Sequence, residues 1–333
     1  MTANATTSGL KAAQRVVSAL DTERRSLELF EERYPRPQDA PTRYQQEVPG
    51  WMVSTAVLKL WRSQGRQALF LHPELVNALR MSSSSKITPE VFRTLPYLEP
   101  LVVFPEPFTV KSHTRAETAK ALGFFTYGKT AEGAQTSTHD PDATTFGAYV
   151  LLDITPEGQT EPVIECDAIS FPMAGEPYTI AEAVERLEES FRWSVAADNT
   201  DSARKFIQGL LTLVIGSVMY LCSTTIEAEK VPRKVVAKTL GTPRVPFSAY
   251  RVGWNVGAAL SAARKSVAID DPSQQPKSGY EQEPQHRRAH FKTVWTGPGS
   301  MIPKTVFIAP YWTHLEKLGT EGVNTARDVK VER

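Results

Sequence analysis

The residues with the strongest claim to chemistry lie near the C-terminus, in His286-Arg287-Arg288-Ala289-His290-Phe291, followed by Lys292 and Trp295. Guanidinium forks match phosphate and carboxylate oxygens bidentately. Phe291 and Trp295 add rings that can stack on bases. Imidazoles at His286 and His290 are suited to proton transfer near neutral pH. These two histidines are four residues apart, which places them on one side of either a helix or a strand. That spacing occurs in metal sites, but Arg287 and Arg288 put positive charge beside the ligands and the block holds no acid. No metal is therefore expected, and no cofactor.

Other motifs are missing. The sequence has no phosphate-binding Gly-Lys loop, no dinucleotide fingerprint, no Gly-x-Ser-x-Gly elbow and no His-Glu-x-x-His. Its two cysteines, Cys166 and Cys222, are too few for a disulfide framework and are expected in the core, which suits a reducing, cytoplasmic setting. The N-terminus lacks a basic-then-apolar secretory pattern. The most apolar stretch, Phe206 to Cys222, is interrupted by Gln208, Gly209, Thr212, Gly216 and Ser217 and reads as a buried core helix, not a membrane span.

A net charge of +1 conceals segregation of sign. Asp153 to Asp201 carries twelve acids against Arg186 and Arg192 alone. Lys230 to Ile269 carries eight bases and no acid, and Pro284 to Leu315 has Arg287, Arg288, Lys292 and Lys304, again with no acid. Such segregation points either to a nucleic-acid or acidic-protein surface, or to acidic and basic segments packing within the fold.

The elements that must position this block read as α+β, with helices packed on an antiparallel sheet and a C-terminal β-hairpin. The 333 residues suffice for a sizeable core. Leu10, Ala13, Val16, Val17 and Leu20, and later Leu27, Leu29 and Phe30, form an imperfect helical stripe within Leu10–Tyr34, which Pro35 and Pro37 terminate. Trp51 to Gln64 reads as a second helix with Gly65 as its C-cap. Gln67 to Leu71 reads as a strand, His72-Pro73 as a helix start, and Pro100 to Phe104 as a strand closed by Pro105 and Pro107.

Lys129 to Thr145 reads as an exposed loop, and Phe146–Ile154 and Val163–Ser170 as strands joined at Pro156-Glu157-Gly158. Thr179 to Glu182 is a capping box. Ser248 to Val267 reads as one helix, with Gly253 and Gly257 permitting close packing. Phe291–Thr296 and Thr305–Trp312 form the closing hairpin. The domain reading is an N-terminal helix and linker (1–50), a core domain (51–318) containing the loop 129–145 and a linker 272–284, and a frayed tail (319–333).

The stretch Pro284 to Gly297 resembles the Pro-His-x-Arg-Arg-Gly-His-Trp-His signature of a family of mobile-element proteins, the type V-A anti-CRISPR-like family. Phe307-Ile308-Ala309-Pro310-Tyr311-Trp312 resembles its closing aromatic strand. Looser similarity extends from Trp51 to His314. Arg287, Arg288, His290, Trp295 and Gly297 match. Gln285 and Lys292 stand where the family has histidines, Ala289 replaces Gly, and Phe291 replaces Trp.

The resemblance implies a phage or mobile-element setting and recognition of a nascent polypeptide ahead of loss of its mRNA. The leading expectation is a regulatory binding protein that meets a nascent polypeptide, a ribonucleoprotein or RNA through Arg287, Arg288, His286, His290, Phe291, Lys292 and Trp295. Two alternatives stand beside it: a metal-independent ribonuclease using His290, and a structural or assembly protein with no nucleic-acid contact. The loss of two signature histidines weighs against an enzyme. Oligomeric state and the identity of the client are not legible in the sequence.

Overall fold

The computed structural model describes residues 2–33, 58–84, 86–111, 118–154, 163–190, 201–243, 245–267, 285–287, 289–300 and 302–313. The organising element is strand β1 (Gln67–Leu71), whose Ala68, Leu69, Phe70 and Leu71 are all fully buried. A strand apolar on both faces needs cover on both faces. It pairs in parallel with β3 (Leu101–Lys111) on one side and β9 (Ser248–Val252) on the other. The sheet continues antiparallel from β3 through β4 (Thr118–Thr130) and β6 (Ala143–Ile154) to β7 (Val163–Pro172), and from β9 to the edge strand β8 (Ala228–Lys230). The α+β reading therefore holds, with a parallel pair on each side of β1 inside an otherwise antiparallel sheet.

Side chains alternate between two cores. Ala68, Phe70, Leu101 and Val103 face α1 (Thr2–Arg33), which lays Leu10, Ala13, Val16, Val17 and Leu20 on them. These five positions of the expected stripe are thus buried, and the helix starts earlier than Leu10. Gly9 is required at the crossing, because a Cβ there would lie 2.9 Å from the Phe70 ring. Helical residues 58–63 pack on the same face through Leu58 and Trp61. Gly65 ends that helix at φ 103, and the Arg66 amide donates to the Trp61 carbonyl at 3.2 Å, a Schellman closure. The first part of the expected Trp51–Gln64 helix lies outside the described residues.

Leu69, Leu71, Val102 and Phe104 face the other way, toward α2 (Pro73–Arg80), α3 (Ile180–Ser190) and α4 (Asp201–Leu221). Helix α4 is the expected core helix: Leu210, Leu211, Leu213, Val214, Ile215, Val218, Met219, Tyr220 and Leu221 are buried. No helix among the described residues is long and apolar enough to cross a membrane. The capping box opens α3 as expected: the Thr179 amide donates to Glu182 Oε2 at 2.6 Å, and the Glu182 amide donates to Thr179 Oγ1 at 3.2 Å.

Three expectations need correction. Pro105 and Pro107 do not close β3. The strand runs on to Lys111, and its register against β4 shifts between Val103 and Phe108, so the missing proline donors fall where the ladder is already interrupted. Residues 129–145 are not a free loop. Strand β4 reaches Thr130, β5 (Gln135–Thr136) folds back onto it, and β6 begins at Ala143. The buried Glu99 carboxylate clamps this segment, with Oε1 accepting from Ser137 Oγ (2.9 Å), Thr138 N (2.6 Å) and Thr138 Oγ1 (3.0 Å).

Third, Ser248–Val267 is not one helix. Residues Ser248–Val252 form β9, and α5 (Arg233–Leu240) precedes it while α6 (Trp254–Val267) follows. Gly253 breaks the run at φ 70. Gly253 and Gly257 do mark close packing, because a Cβ would sit 2.3 Å from Leu75 Cδ2 and 2.1 Å from His72 Nδ1 respectively.

His72 caps α2: its Nδ1 accepts from the Glu74 amide at 3.2 Å, and its ring meets Trp254 edge-on at 5.1 Å. Burial holds this imidazole below its usual 6.5, with the Glu74 charge acting in the opposite sense. A depressed folded value means that the unfolded chain takes up the proton first as pH falls. The cap's contribution is therefore complete above 6.5 and declines as pH drops toward the folded value. Thermal melts from about pH 7.5 to about pH 5.5 should show a steeper loss of stability for wild type than for His72→Asn, which keeps a capping acceptor that does not titrate.

Candidate functional site

The C-terminal block is divided between two small sheets. Strand β10 (Gln285–Arg287) pairs antiparallel with β13 (Tyr311–Thr313), placing His286 opposite Trp312 and Arg287 opposite Tyr311. The chain then enters β11 (His290–Thr296), which forms the expected hairpin with β12 (Ile302–Ile308). The hairpin's second arm is thus shorter than expected, and Tyr311–Trp312 belong to the neighbouring pair. His286 and His290 consequently sit in different sheets. Arg288 lies outside the described residues.

The inner face of the hairpin anchors it. Phe291 is fully buried, and its ring lies 5.2 Å from Phe307, which meets Tyr220 of α4 edge-on at 5.2 Å. Thr305 is also buried, and its carbonyl accepts from the Thr224 amide at 2.9 Å. The Phe307 amide donates to Thr225 Oγ1 at 3.3 Å. Strand β2 (Ser83–Ser84) runs parallel to the start of β11, and the Ser83 amide donates to the Ala289 carbonyl at 3.2 Å. Ala289 is itself buried, so the small residue of the signature fills a packing position. The role expected for Phe291 as an exposed stacking ring is therefore corrected: its ring is enclosed by the core and unavailable to a ligand.

The outer face is different. Register sets Lys292 beside Val306, Val294 beside Lys304 and Thr296 beside Ile302. Lys292, Val294, Ile302 and Lys304 are exposed, Ile302 at 53%. Trp295 is on the Phe291 side of the ribbon but lies beyond the edge of the core, and 52% of it remains exposed. Gly297 (φ 80) and Gly299 (φ 66) turn the chain at the tip, and the Ser300 amide donates to the Gly297 carbonyl at 3.0 Å. His290 stands at the root of this face, half-buried and opposite Ile308.

The structure thus gathers Lys292, Trp295 and His290 on one hairpin, adds Val294, Ile302 and Lys304, and leaves Phe291 in the core. The added residues were detectable in principle: once β11 and β12 are paired, period-2 alternation puts Lys292, Val294, Ile302 and Lys304 on one side. Cys222, by contrast, is a core residue as expected, with burial pushing its thiol up to about 12. Cys166 lies in β7 opposite Leu151. Among the described residues, no three His, Cys, Asp or Glu side chains converge as a metal site would require.

These features define an α+β protein that docks a basic, partly apolar hairpin onto a buried helix and presents one side of it outward. Residues 69–315 match the family model AcrVA2-like, the anti-CRISPR type V subtype A2 family, and the chain belongs to that family. A solved structure, the crystal structure of AcrVA2, is similar at 14% identity over 91% of this chain and 95% of that one, with a TM-score of 0.39. No curated protein matches.

The two aromatic positions of the block should separate by mutation. Phe291→Ala removes a ring from the core and should cost about 3–5 kcal/mol in denaturant unfolding. Trp295→Ala should change stability by less than about 1 kcal/mol.

Proposed function

We propose that this anti-CRISPR-like protein is a regulatory binding protein of a phage or mobile element. Its C-terminal hairpin engages a nascent polypeptide or ribonucleoprotein, including RNA. One observation carries the reading: a hairpin without a single acidic residue exposes Lys292, Lys304 and Ile302 on its outer face and leaves Trp295 half exposed at the edge of the opposite face. The cations supply long-range attraction to phosphate or carboxylate, and the exposed apolar side chains supply area that becomes buried on contact. An exposed tryptophan is also a common anchor type at protein interfaces. Membership of the type V subtype A2 family agrees with this role. Arg287 and Arg288 extend the same acid-free segment and are assigned to the same contact.

The experiment is co-sedimentation with translating ribosomes, together with binding of a labelled single-stranded RNA across a salt titration. Wild type is compared with Lys292→Glu/Lys304→Glu and with Arg287→Ala/Arg288→Ala. For phosphate contacts, the slope of log affinity against log salt should shrink by about 0.7 for each cation removed. Absence of association by wild type, or association insensitive to both double variants, contradicts the proposal.

A further inference from the structure

The acid-free stretch from Lys230 to Ile269 has no part in the hairpin, yet it builds a feature of its own. An open cleft of about 500 Å³ lies between α5, the loop after it, the start of β9 and the Gly65-Arg66 turn. Its floor includes Val231, Val236, Pro246 and Ala249. Its charged lining is Arg66, Arg233 and Lys230, all exposed, with the Lys230 ammonium lying 6.0 Å from the centre of the Tyr250 ring, and among the described residues no acid lines it. The nearest acid in sequence, Glu229, is held by Arg251 at 2.5 Å. Lys234 and Lys238 of α5 are exposed and add to the same field.

Two details mark the cleft as built and under-filled. Arg66 occupies the left-handed region at φ 55, fixed between the Trp61 carbonyl and the Ser248 amide, which donates to the Arg66 carbonyl at 2.8 Å. A non-glycine residue there carries strain, which the two hydrogen bonds hold in place. Helix α5 buries none of its eight residues, and Val235, Val236 and Leu240 only partly reach the core. Its apolar side is therefore left incompletely covered at the cleft.

We propose that this cleft is a second binding site, separate from the hairpin, and that it takes a short acidic peptide segment with aliphatic side chains. Aspartate or glutamate would meet Arg66 and Arg233 at the rim, and an aliphatic side chain would cover Val236 and Ala249. Charge complementarity excludes a basic segment. The floor is aliphatic and proline-rich, and its single aromatic, Phe247, is half-buried and packs toward Trp61 at 6.5 Å. Single-stranded nucleic acid relies on exposed rings for stacking, so the lining favours peptide over RNA. The volume suits a few side chains. The inference does not depend on the hairpin's role.

A short random-peptide library displayed on phage is selected against the full chain, and the enriched peptides are measured by fluorescence anisotropy. They should combine Asp or Glu with Leu, Ile or Val. Arg66→Glu/Arg233→Glu, which alters exposed side chains only, should weaken them about tenfold or more. Val236→Trp, which fills the cleft, should weaken them too, and Lys292→Glu/Lys304→Glu should leave them unchanged. The proposal is overturned if no acidic peptides are enriched, or if they bind the Arg66/Arg233 variant as tightly as wild type. It is also overturned if only the hairpin variant loses them, or if a short polyuridine RNA binds the cleft in preference to them.

Discussion

Strand β1 must be covered on both faces, and the architecture follows from that requirement. Leu69 and Leu71 demand one core, Ala68 and Phe70 another. At about 1.5–3 kcal/mol for each large apolar side chain buried, neither face can be left to solvent. Helix α1 satisfies one side and α4 the other. Parallel neighbours on both edges of β1 then place α2 and α6 against each other, with Gly257 directly over His72. The hairpin depends on this arrangement at one remove, because Phe291 reaches the core through Phe307 and Tyr220 of α4. A residue of the sequence signature is thus used to hold the surface in place, and its neighbours are used to form it.

Much of this was legible in the residues. Local signals were reliable wherever one element supplied its own chemistry: the apolar stripe of α1, the proline start of α2, the capping box of α3 and the first arm of the hairpin. Errors arose where a tertiary partner decided the outcome. Ser248–Val252 looks helical until β1 offers it a parallel ladder and Gly253 takes a left-handed conformation. Pro105 and Pro107 look like a stop until a register shift lets the strand pass them. Residues 129–145 look like a polar loop, and Glu99, remote in sequence, fastens them down.

For the candidate segment, the sequence showed its charge and only part of its arrangement. Charge segregation singled out the segment that the fold presents on the hairpin, because a run without acids cannot neutralise itself locally. It could not reveal that Phe291 points inward and Trp295 escapes the core, since both lie on the same side of the ribbon and differ only in their distance from Phe307. Nor could it separate the two basic surfaces that the fold creates, one on the hairpin and one around the cleft beside α5.

The central claim concerns the hairpin's exposed surface, the outer face at Ile302 and the uncovered edge of the inner face at Trp295, and its most direct test is site-specific photo-crosslinking in host cells. A photoreactive phenylalanine analogue replaces Trp295 in one sample and Ile302 in another, with exposed His139 as the control position. The account predicts crosslinks to a nascent chain, a ribosomal component or RNA from both hairpin positions and none from the control. Silent hairpin positions, or adducts equal to those from His139, would contradict it.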